Sequence, residues 1–234
     1  MTGRAVFVTG ATGTVGASVV QRLLERGEPV LAAVRGTDFP ALPDGAQARP
    51  FDFDCSPAAL DGALDGADRL FLMRPPPIAD VQRYLFPLID AAMRRGIRQI
   101  VFLSLQGVQF NRQIPHHAVE AYLHQVDAPF TLLRPNFFMQ NLSTAYADRI
   151  RNSNEIFVPA GRSYTAFVDA RDIGRVAAEV LTAVDSPEPR PRRWQSSSTT
   201  SAPCGGSSVR VGEGSGLTHS TCAERLLPPI DRRF

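Results

Sequence analysis

The sequence contains no lysine. All 25 Lys+Arg residues of the 234-residue chain are arginine. This absence excludes three catalytic or binding motifs: a Schiff-base lysine, the lysine of a phosphate-binding P-loop and a Tyr-x-x-x-Lys pair. Any proton transfer or phosphate binding must therefore use other groups.

The chain also has few cysteines, no long apolar run and a small net charge. Three scattered cysteines without metal-type spacing indicate neither a disulfide framework nor a metal site. No apolar run approaches the roughly twenty residues of a membrane span, and no signal-type segment opens the chain. A net charge of +2 gives no reason to expect a nucleic-acid partner. We therefore expect a cytoplasmic protein without a membrane partner.

A glycine-rich turn is the most informative segment. Residues 4–9 form an apolar, β-branched run typical of a strand buried on both faces of a parallel sheet, and apolar residues at helical spacing follow the turn. The turn has G-x-x-G-x-x-G spacing: Gly10, Ala11, Thr12, Gly13, Thr14, Val15 and Gly16. Glycines at a strand-to-helix turn allow a tight reversal and let backbone N–H groups approach a pyrophosphate. The pattern predicts a dinucleotide-binding turn; the alternative is an ordinary tight turn of an α/β domain.

The second predicted strand covers residues 30–34. The residue at its carboxyl end helps to determine which dinucleotide is bound. This position, about twenty residues beyond the glycine turn, faces the adenosine ribose in dinucleotide-binding folds. An acid there binds the 2′-hydroxyl of NAD, whereas an arginine suits the 2′-phosphate of NADP. Arg35 therefore predicts NADP(H) as the preferred cofactor. Asp38 nearby leaves NAD(H) possible, and the alternative for Arg35 is a solvated loop arginine.

Four further apolar runs predict strands that end near residues 51, 73, 104 and 134, with helices between them. Strands alternating with helices predict a doubly wound α/β domain with a parallel sheet. Pro87 interrupts the helix after the fourth strand, where we expect a kink or a new start.

Ligands of such sheets bind outside the carboxyl ends of the strands, so Met73 and Arg74 should lie beside the cofactor. Arg74 has two functional interpretations, a phosphate contact or an acidic-substrate contact, and the alternative is a solvent-facing arginine.

Five segments together resemble the NmrA-like branch of the atypical short-chain dehydrogenases, over roughly residues 4–184. They are the glycine turn, the strand that ends in Arg35, the acid after the third strand, residues 131–141 (TLLRPNFFMQN) and residues 167–173 (FVDARDI). The resemblance implies a Rossmann-type NAD(P)-binding domain. It implies either an NADPH-dependent reductase of quinones or related small molecules, or a regulator that binds the dinucleotide without turning it over. Many members lack the Tyr-Lys pair, so its absence does not decide between the two.

The resemblance also implies further site residues. Asp52 and Phe53 would bracket the adenine ring; the alternative for this segment is a cap of the next helix by Asp54 or Ser56. Ser104 stands where short-chain dehydrogenases carry their catalytic serine; the alternative is a strand-end serine that satisfies local backbone. The segment of Pro135, Asn136 and Phe137 would lie against the nicotinamide; the alternative for its aromatic residues is the core. Candidate proton donors in the helix after the fifth strand are His116, His117 and Tyr122.

The composition changes near Asp185. A proline- and arginine-rich stretch and then Ser/Thr- and Gly/Ser-rich sequence follow, which cannot bury enough apolar area to offset the entropy of ordering. We expect a dinucleotide-binding domain over residues 1–184 and a disordered or degenerate tail over residues 185–234. A frameshift near residues 183–190 is one hypothesis for this tail, and a native regulatory or nucleic-acid-binding tail is the other.

The sequence therefore favours an NADP(H)-dependent reductase of a small quinone or carbonyl substrate. The alternative is a non-catalytic dinucleotide sensor that binds a protein partner.

Overall fold

The structure is a computed structural model, and it describes residues 5–36, 41–158, 166–183 and 207–210. The strands in these ranges are β1 (Ala5–Val8), β2 (Val30–Val34), β3 (Ala46–Pro50), β4 (Ala67–Met73), β5 (Gln99–Leu103), β6 (Phe130–Leu133), β7 (Phe137–Phe138), β8 (Glu155–Val158), β9 (Phe167–Val168) and β10 (Ser207–Arg210). The α-helices are α1 (Thr14–Glu25), α2 (Pro57–Ala63), α3 (Val81–Tyr84), α4 (Phe86–Arg94), α5 (Pro115–Gln125), α6 (Ala147–Ser153) and α7 (Ala170–Thr182). Short 3-10 helices cover Val108–Phe110 and Met139–Leu142.

The first six strands form one parallel sheet in the order β3-β2-β1-β4-β5-β6. This is the strand order of doubly wound dinucleotide-binding domains, in which the direction of winding reverses between β1 and β4. Because all six strands are parallel, their carboxyl ends meet at one edge of the sheet. The predicted doubly wound fold class is confirmed.

Both faces of the sheet are buried, and successive side chains of a strand alternate between them. Phe7 of β1 points into a core cluster shared with buried residues of α2, α4 and α5. Val6 and Val8 are fully buried outside that cluster and face the side where α1 packs. Gly174 of α7 lies against Ser18 of α1, so α7 covers the same side. Coverage of both faces explains why the central strands are continuous apolar runs.

The helix after β4 starts anew, as Pro87 predicts. The short α3 ends at Tyr84, and α4 begins at Phe86 with Pro87 in its first turn, where an absent N–H removes no helical hydrogen bond. No helix in the part of the chain that the structure describes is long and apolar enough to span a bilayer.

The described residues divide into two compact units. The first contains the six-stranded sheet and runs to residue 135, with α7 from residue 173 onward; the second contains residues 136–158, 166–172 and β10. In the second unit β7 pairs with β9 in parallel, and β8 pairs with β10 in antiparallel orientation. Strand β10 lies within the segment 185–234 that the composition predicts to be disordered. The rest of that segment lies outside the described residues, and the boundary near residue 184 stays a prediction.

A buried guanidinium joins three elements at the amino end of β4. Arg69 is 3% exposed, and its Nη2 donates to Glu28 Oε2 at 2.7 Å. Its Nε donates to Asp68 Oδ1 at 3.0 Å, and its Nη1 donates to the carbonyl oxygen of Leu181 in α7 at 3.2 Å. One side chain thus connects the loop after α1, the start of β4 and the end of α7.

We expect Arg69→Met to lower the free energy of unfolding by about 3 kcal/mol. The substitution leaves two partly buried carboxylates and one carbonyl without this donor, and breaking a buried ion pair from one side is strongly destabilising. Urea denaturation followed by circular dichroism measures the difference.

Arg95→Met is the matched control. Arg95 pairs with Asp65 at an exposed site, where side-chain exposures are 38% and 73%, and exposed pairs contribute roughly 0–1 kcal/mol. Equal losses in the two variants would contradict the structural role assigned to Arg69.

Candidate functional site

The glycine turn joins the carboxyl end of β1 to the N-terminus of α1. Gly10 has a left-handed φ of +62°, which strains any residue with a side chain. A β carbon on Gly10 would also lie 2.3 Å from Met73 Sδ. The N–H of Gly13 donates to the carbonyl oxygen of Gly10 at 2.9 Å and closes the turn. The left-handed φ therefore requires glycine at position 10, and Met73 packs closely against it.

Gly16 lets the first turn of α1 approach the end of β1. A β carbon on Gly16 would lie 2.0 Å from the carbonyl oxygen of Gly10 and 2.6 Å from its carbonyl carbon. Both are backbone atoms, so no side-chain rotation relieves the overlap. Ala11 and Val15 are buried on either side of this contact and anchor the turn. The spacing of the glycines is thus explained by a backbone-to-backbone contact.

The N-terminus of α1 presents uncapped backbone N–H groups. The first helical hydrogen bond runs from the N–H of Ala17 to the carbonyl oxygen of Gly13 at 2.8 Å. Gly13 is the N-cap and supplies no side-chain acceptor, and the first turn contains no acid. The preceding N–H groups therefore point out of the helix end, where the helix dipole is positive. Together with the close approach that the glycines allow, these donors fit the pyrophosphate of a dinucleotide.

Thr9 holds the turn against β4, a contact that the sequence analysis does not predict. Its hydroxyl donates to the carbonyl oxygen of Phe71 at 3.0 Å and accepts the N–H of Met73 at 2.9 Å. The hydroxyl thus continues the β1–β4 pairing one residue beyond the strand and keeps Met73 beside Gly10. A hydroxyl residue directly between a buried strand and a glycine turn is the only sequence signal for this role.

Arg35 follows β2 and is exposed. Within the described residues it has no hydrogen bond or ion pair, so its guanidinium is open to a ligand. Asp38, the acid that leaves NAD(H) possible, lies outside the described residues. The preference for NADP(H) is compatible with this arrangement and stays a prediction.

The two residues predicted to bracket adenine occupy different environments. Asp52 is exposed after β3, and its Oδ1 accepts the N–H of Asp54 at 3.1 Å. Phe53 is 8% exposed and packs edge-on against Phe51 in the core. An adenine contact in this region therefore has Asp52 and the backbone available, and the contact stays a prediction.

Ser104 is fully buried at the end of β5, within a hydrogen-bonded cluster of three polar side chains. Its hydroxyl donates to Glu120 Oε1 at 2.5 Å. Arg134 Nε and Nη2 donate to the two carboxylate oxygens of Glu120 at 2.9 and 2.6 Å. Glu120 is therefore a residue that the sequence analysis missed. Its spacing of four residues from His116 places both on one face of α5 and is the signal that could have found it.

The candidate proton donors of α5 differ in position. Tyr122 donates its hydroxyl proton to Asp90 Oδ1 at 2.7 Å, and this bond, with burial, raises the pKa of Tyr122 to about 12. His116 is 7% exposed, and burial, followed by the charge of Arg74, lowers its pKa to about 4. His117 is half-buried in the first turn of α5. The two histidines lie at the carboxyl edge of the sheet, whereas Tyr122 lies about 8 Å further along the helix.

The remaining predicted contacts lie at the end of β6. Pro135 belongs to the first unit, and its carbonyl oxygen accepts the N–H of Gln106 at 3.0 Å. Asn136 and Phe137 belong to the second unit, where Asn136 Oδ1 accepts the N–H of Phe137 at 2.8 Å. Their contact with the nicotinamide stays a prediction.

A cavity of about 310 Å³ lies at the opposite edge of the sheet, lined by residues that include Ala5, Pro29 and Gly66. Because ligands of open α/β sheets bind at the carboxyl ends of the strands, this cavity does not define the site. Within the described ranges, no three His, Cys, Asp or Glu side chains are grouped as a metal site requires.

The strand order and the glycine turn together define a Rossmann-type domain of the kind that binds dinucleotides. Residues 2–189 match the NmrA-like family, and the chain belongs to this family.

Two curated relatives are reductases by name. The chain is 32% identical over 192 residues to an NAD(P)H azoreductase of Xenophilus azovorans, covering 76% of this chain and 63% of the relative. It is 32% identical over 193 residues to the (4-alkanoyl-5-oxo-2,5-dihydrofuran-3-yl)methyl phosphate reductase of Streptomyces griseus, again covering 76% of this chain and 63% of the relative. The chain thus spans about three fifths of the length of such relatives.

The fold is also that of solved reductases. The triphenylmethane reductase of Citrobacter sp. superposes with a TM-score of 0.66 at 24% identity, covering 76% of this chain and 65% of that protein. Its complex with NADP(H) superposes with a TM-score of 0.61 at 24% identity, with the same coverage.

We expect Gly16→Ala to abolish dinucleotide binding and to lower the free energy of unfolding by about 3 kcal/mol. The added methyl group overlaps the Gly10 carbonyl, so the turn must move away from α1, and overpacking of this kind typically costs about 1–3 kcal/mol. Calorimetric titration with NADPH and urea denaturation measure the two effects.

Gly62→Ala is the matched control, since Gly62 is exposed in α2 and a β carbon there meets nothing within 4 Å. Alanine at that position is expected to leave binding unchanged and to stabilise the protein by up to about 1 kcal/mol. Intact NADPH binding by Gly16→Ala would contradict the role of the close backbone contact.

Proposed function

We propose that this chain is an NADP(H)-dependent reductase of a small quinone-type or carbonyl substrate. The observation that carries the proposal is the glycine turn, where a left-handed φ at Gly10 and a backbone contact at Gly16 exclude side chains and α1 begins without a side-chain cap. The names of the curated relatives support a reductase, and the fold of the triphenylmethane reductase complex supports a dinucleotide ligand.

The cofactor contacts of this proposal lie along the carboxyl edge of the first unit. Backbone N–H groups at the start of α1 bind the pyrophosphate, and Arg35 binds the 2′-phosphate. Asp52 lies at the adenine end, and Met73, held by Thr9, borders the turn from the β4 side. Bound NADPH supplies the hydride.

Reduction also needs a proton at the substrate oxygen. The Ser104 and Tyr122 hydroxyls already donate to Glu120 and Asp90, which makes them poor candidates for this transfer. His117 is half-buried at the start of α5, and its imidazole has no hydrogen-bond partner in the described chain. We therefore assign the proton transfer to the imidazole of His117.

The purified chain is expected to oxidise NADPH in the presence of 1,4-naphthoquinone. Loss of nicotinamide absorbance measures the rate, and the quinone-free rate is the control. Tight NADPH binding without turnover of any quinone in a panel would contradict the reductase proposal and favour the sensor that binds a protein partner.

We expect Arg35→Ser to weaken NADPH binding roughly 10- to 100-fold and to leave NADH binding nearly unchanged. The difference follows from the loss of charge-assisted hydrogen bonds to the 2′-phosphate, which only NADPH carries. Calorimetric titrations with both dinucleotides measure it. Arg94→Ser is the matched control, because Arg94 pairs with Asp61 at an exposed site on α4. Parallel losses for NADPH and NADH in Arg35→Ser would overturn the assignment.

A further inference from the structure

Two buried nitrogen atoms at the carboxyl edge of the sheet have no hydrogen-bond partner in the described chain. They are Arg74 Nε and His116 Nδ1. Arg74 follows β4, whose last residue, Met73, pairs with Leu103 of β5, and His116 is the second residue of α5, the helix that follows β5. We call these two residues the Arg74–His116 pair.

One nitrogen of Arg74 binds the proline-rich loop that follows it, residues 75–78. Its Nη1 donates to the carbonyl oxygens of Pro75, Pro76 and Ile78 at 3.1, 3.0 and 2.5 Å. All hydrogen bonds of Arg74 in the described chain come from this nitrogen. The Nε–Nη2 edge, which presents two parallel N–H donors, is therefore left for another acceptor.

The Nε–Nη2 edge of Arg134 is a comparison within the same protein, because it binds a carboxylate. It binds Glu120 through Nε and Nη2, one donor to each oxygen. The Nε of Arg74 is buried without an acceptor, and within the described residues no carboxylate pairs with this side chain. A partly buried cation without a counterion is costly, and the cost is removed when an anion binds.

His116 adds a second group at the same edge of the sheet: its ring centroid lies 5.9 Å from that of Phe102, which pairs with Leu72 of β4. It is 7% exposed, and burial and the charge of Arg74 lower its pKa, while Glu120 opposes the shift. A neutral imidazole carries one N–H, and in the Nδ1–H tautomer the unpartnered nitrogen donates to an oxygen atom. The two residues together therefore offer up to three N–H donors, two from Arg74 and one from His116.

We propose that the Arg74–His116 pair binds a carboxylate of the small-molecule substrate. This inference rests on the proposed reductase function and names the class of its substrate. The position favours substrate over a cofactor phosphate, because Met73 lies against Gly10 whereas Arg74 donates to the Ile78 carbonyl and His116 packs near Phe102 of β5. The pyrophosphate site at the glycine turn is thus on the β1 side, and the Arg74–His116 pair is on the β5 side.

The test compares two fluorescent probes of nearly equal shape, 2-naphthoate and 2-naphthamide. Titrations of the full chain, with and without NADPH, are expected to show about tenfold tighter binding of the carboxylate. Arg74→Met is expected to remove this preference and to leave NADPH binding unchanged. Because binding rather than turnover is measured, a failed reductase assay does not affect the result.

His116→Phe is the second variant, since it keeps the ring beside Phe102 and leaves Arg74 in place. It is expected to weaken 2-naphthoate binding about threefold to tenfold even if Arg74→Met fails to fold, with 2-naphthamide binding unchanged. Three outcomes would overturn the proposal: equal binding of the two probes by the wild-type chain, no binding of 2-naphthoate, or a loss of NADPH affinity in Arg74→Met with the carboxylate preference intact. The last outcome would assign Arg74 to a cofactor phosphate.

Discussion

The contact between the backbone of Gly16 and the carbonyl of Gly10 is the constraint on which the site depends. A β carbon at position 16 would come within 2.0 Å of that carbonyl oxygen, so α1 can start directly over the end of β1 only with glycine there. The start of α1 sets where its free N–H groups point. Thr9 and Met73 then fix the same turn from the β4 side, through hydrogen bonds of 3.0 and 2.9 Å. A local steric requirement thus positions a polar surface at the carboxyl edge of the sheet.

Apart from the hydrogen-bonded cluster of Ser104, Glu120 and Arg134, several polar groups at the carboxyl edge differ from Arg69 at the amino edge. At the amino edge, Arg69 donates to Glu28, Asp68 and a helical carbonyl, so its donors are used within the protein. At the carboxyl edge, the first N–H groups of α1, Arg35 and the Arg74–His116 pair keep donors that have no acceptor in the described chain. Satisfied polar groups stabilise a fold, whereas buried unsatisfied donors raise the gain from an anionic ligand. These donors support the proposal that the carboxyl edge binds the ligand.

Sequence patterns predict the sheet and the glycine turn because both are encoded locally. Continuous apolar runs mark strands covered on both faces, and turn glycines mark the reversal. The contacts that position the site are not local: Thr9 reaches Met73 across 64 residues, and Glu120 meets Arg134 across 14. Burial of Phe53 in the core likewise depends on Phe51 and Phe7, which no spacing rule brings together. The two-residue strands β7 and β9 are too short for any alternation to be visible.

The absence of lysine has a structural consequence at the carboxyl edge. Each cation there is a guanidinium, which presents five donors in a rigid plane, whereas an ammonium is a single rotatable charge. Arg74 uses one nitrogen to bind three loop carbonyls and keeps its Nε–Nη2 edge for another acceptor. A lysine at this position would have to give up its loop contacts to bind a carboxylate with the same geometry. At the proposed carboxylate site, one arginine would thus both order the loop of residues 75–78 and bind the anion, which lowers the cost of ordering when a ligand binds.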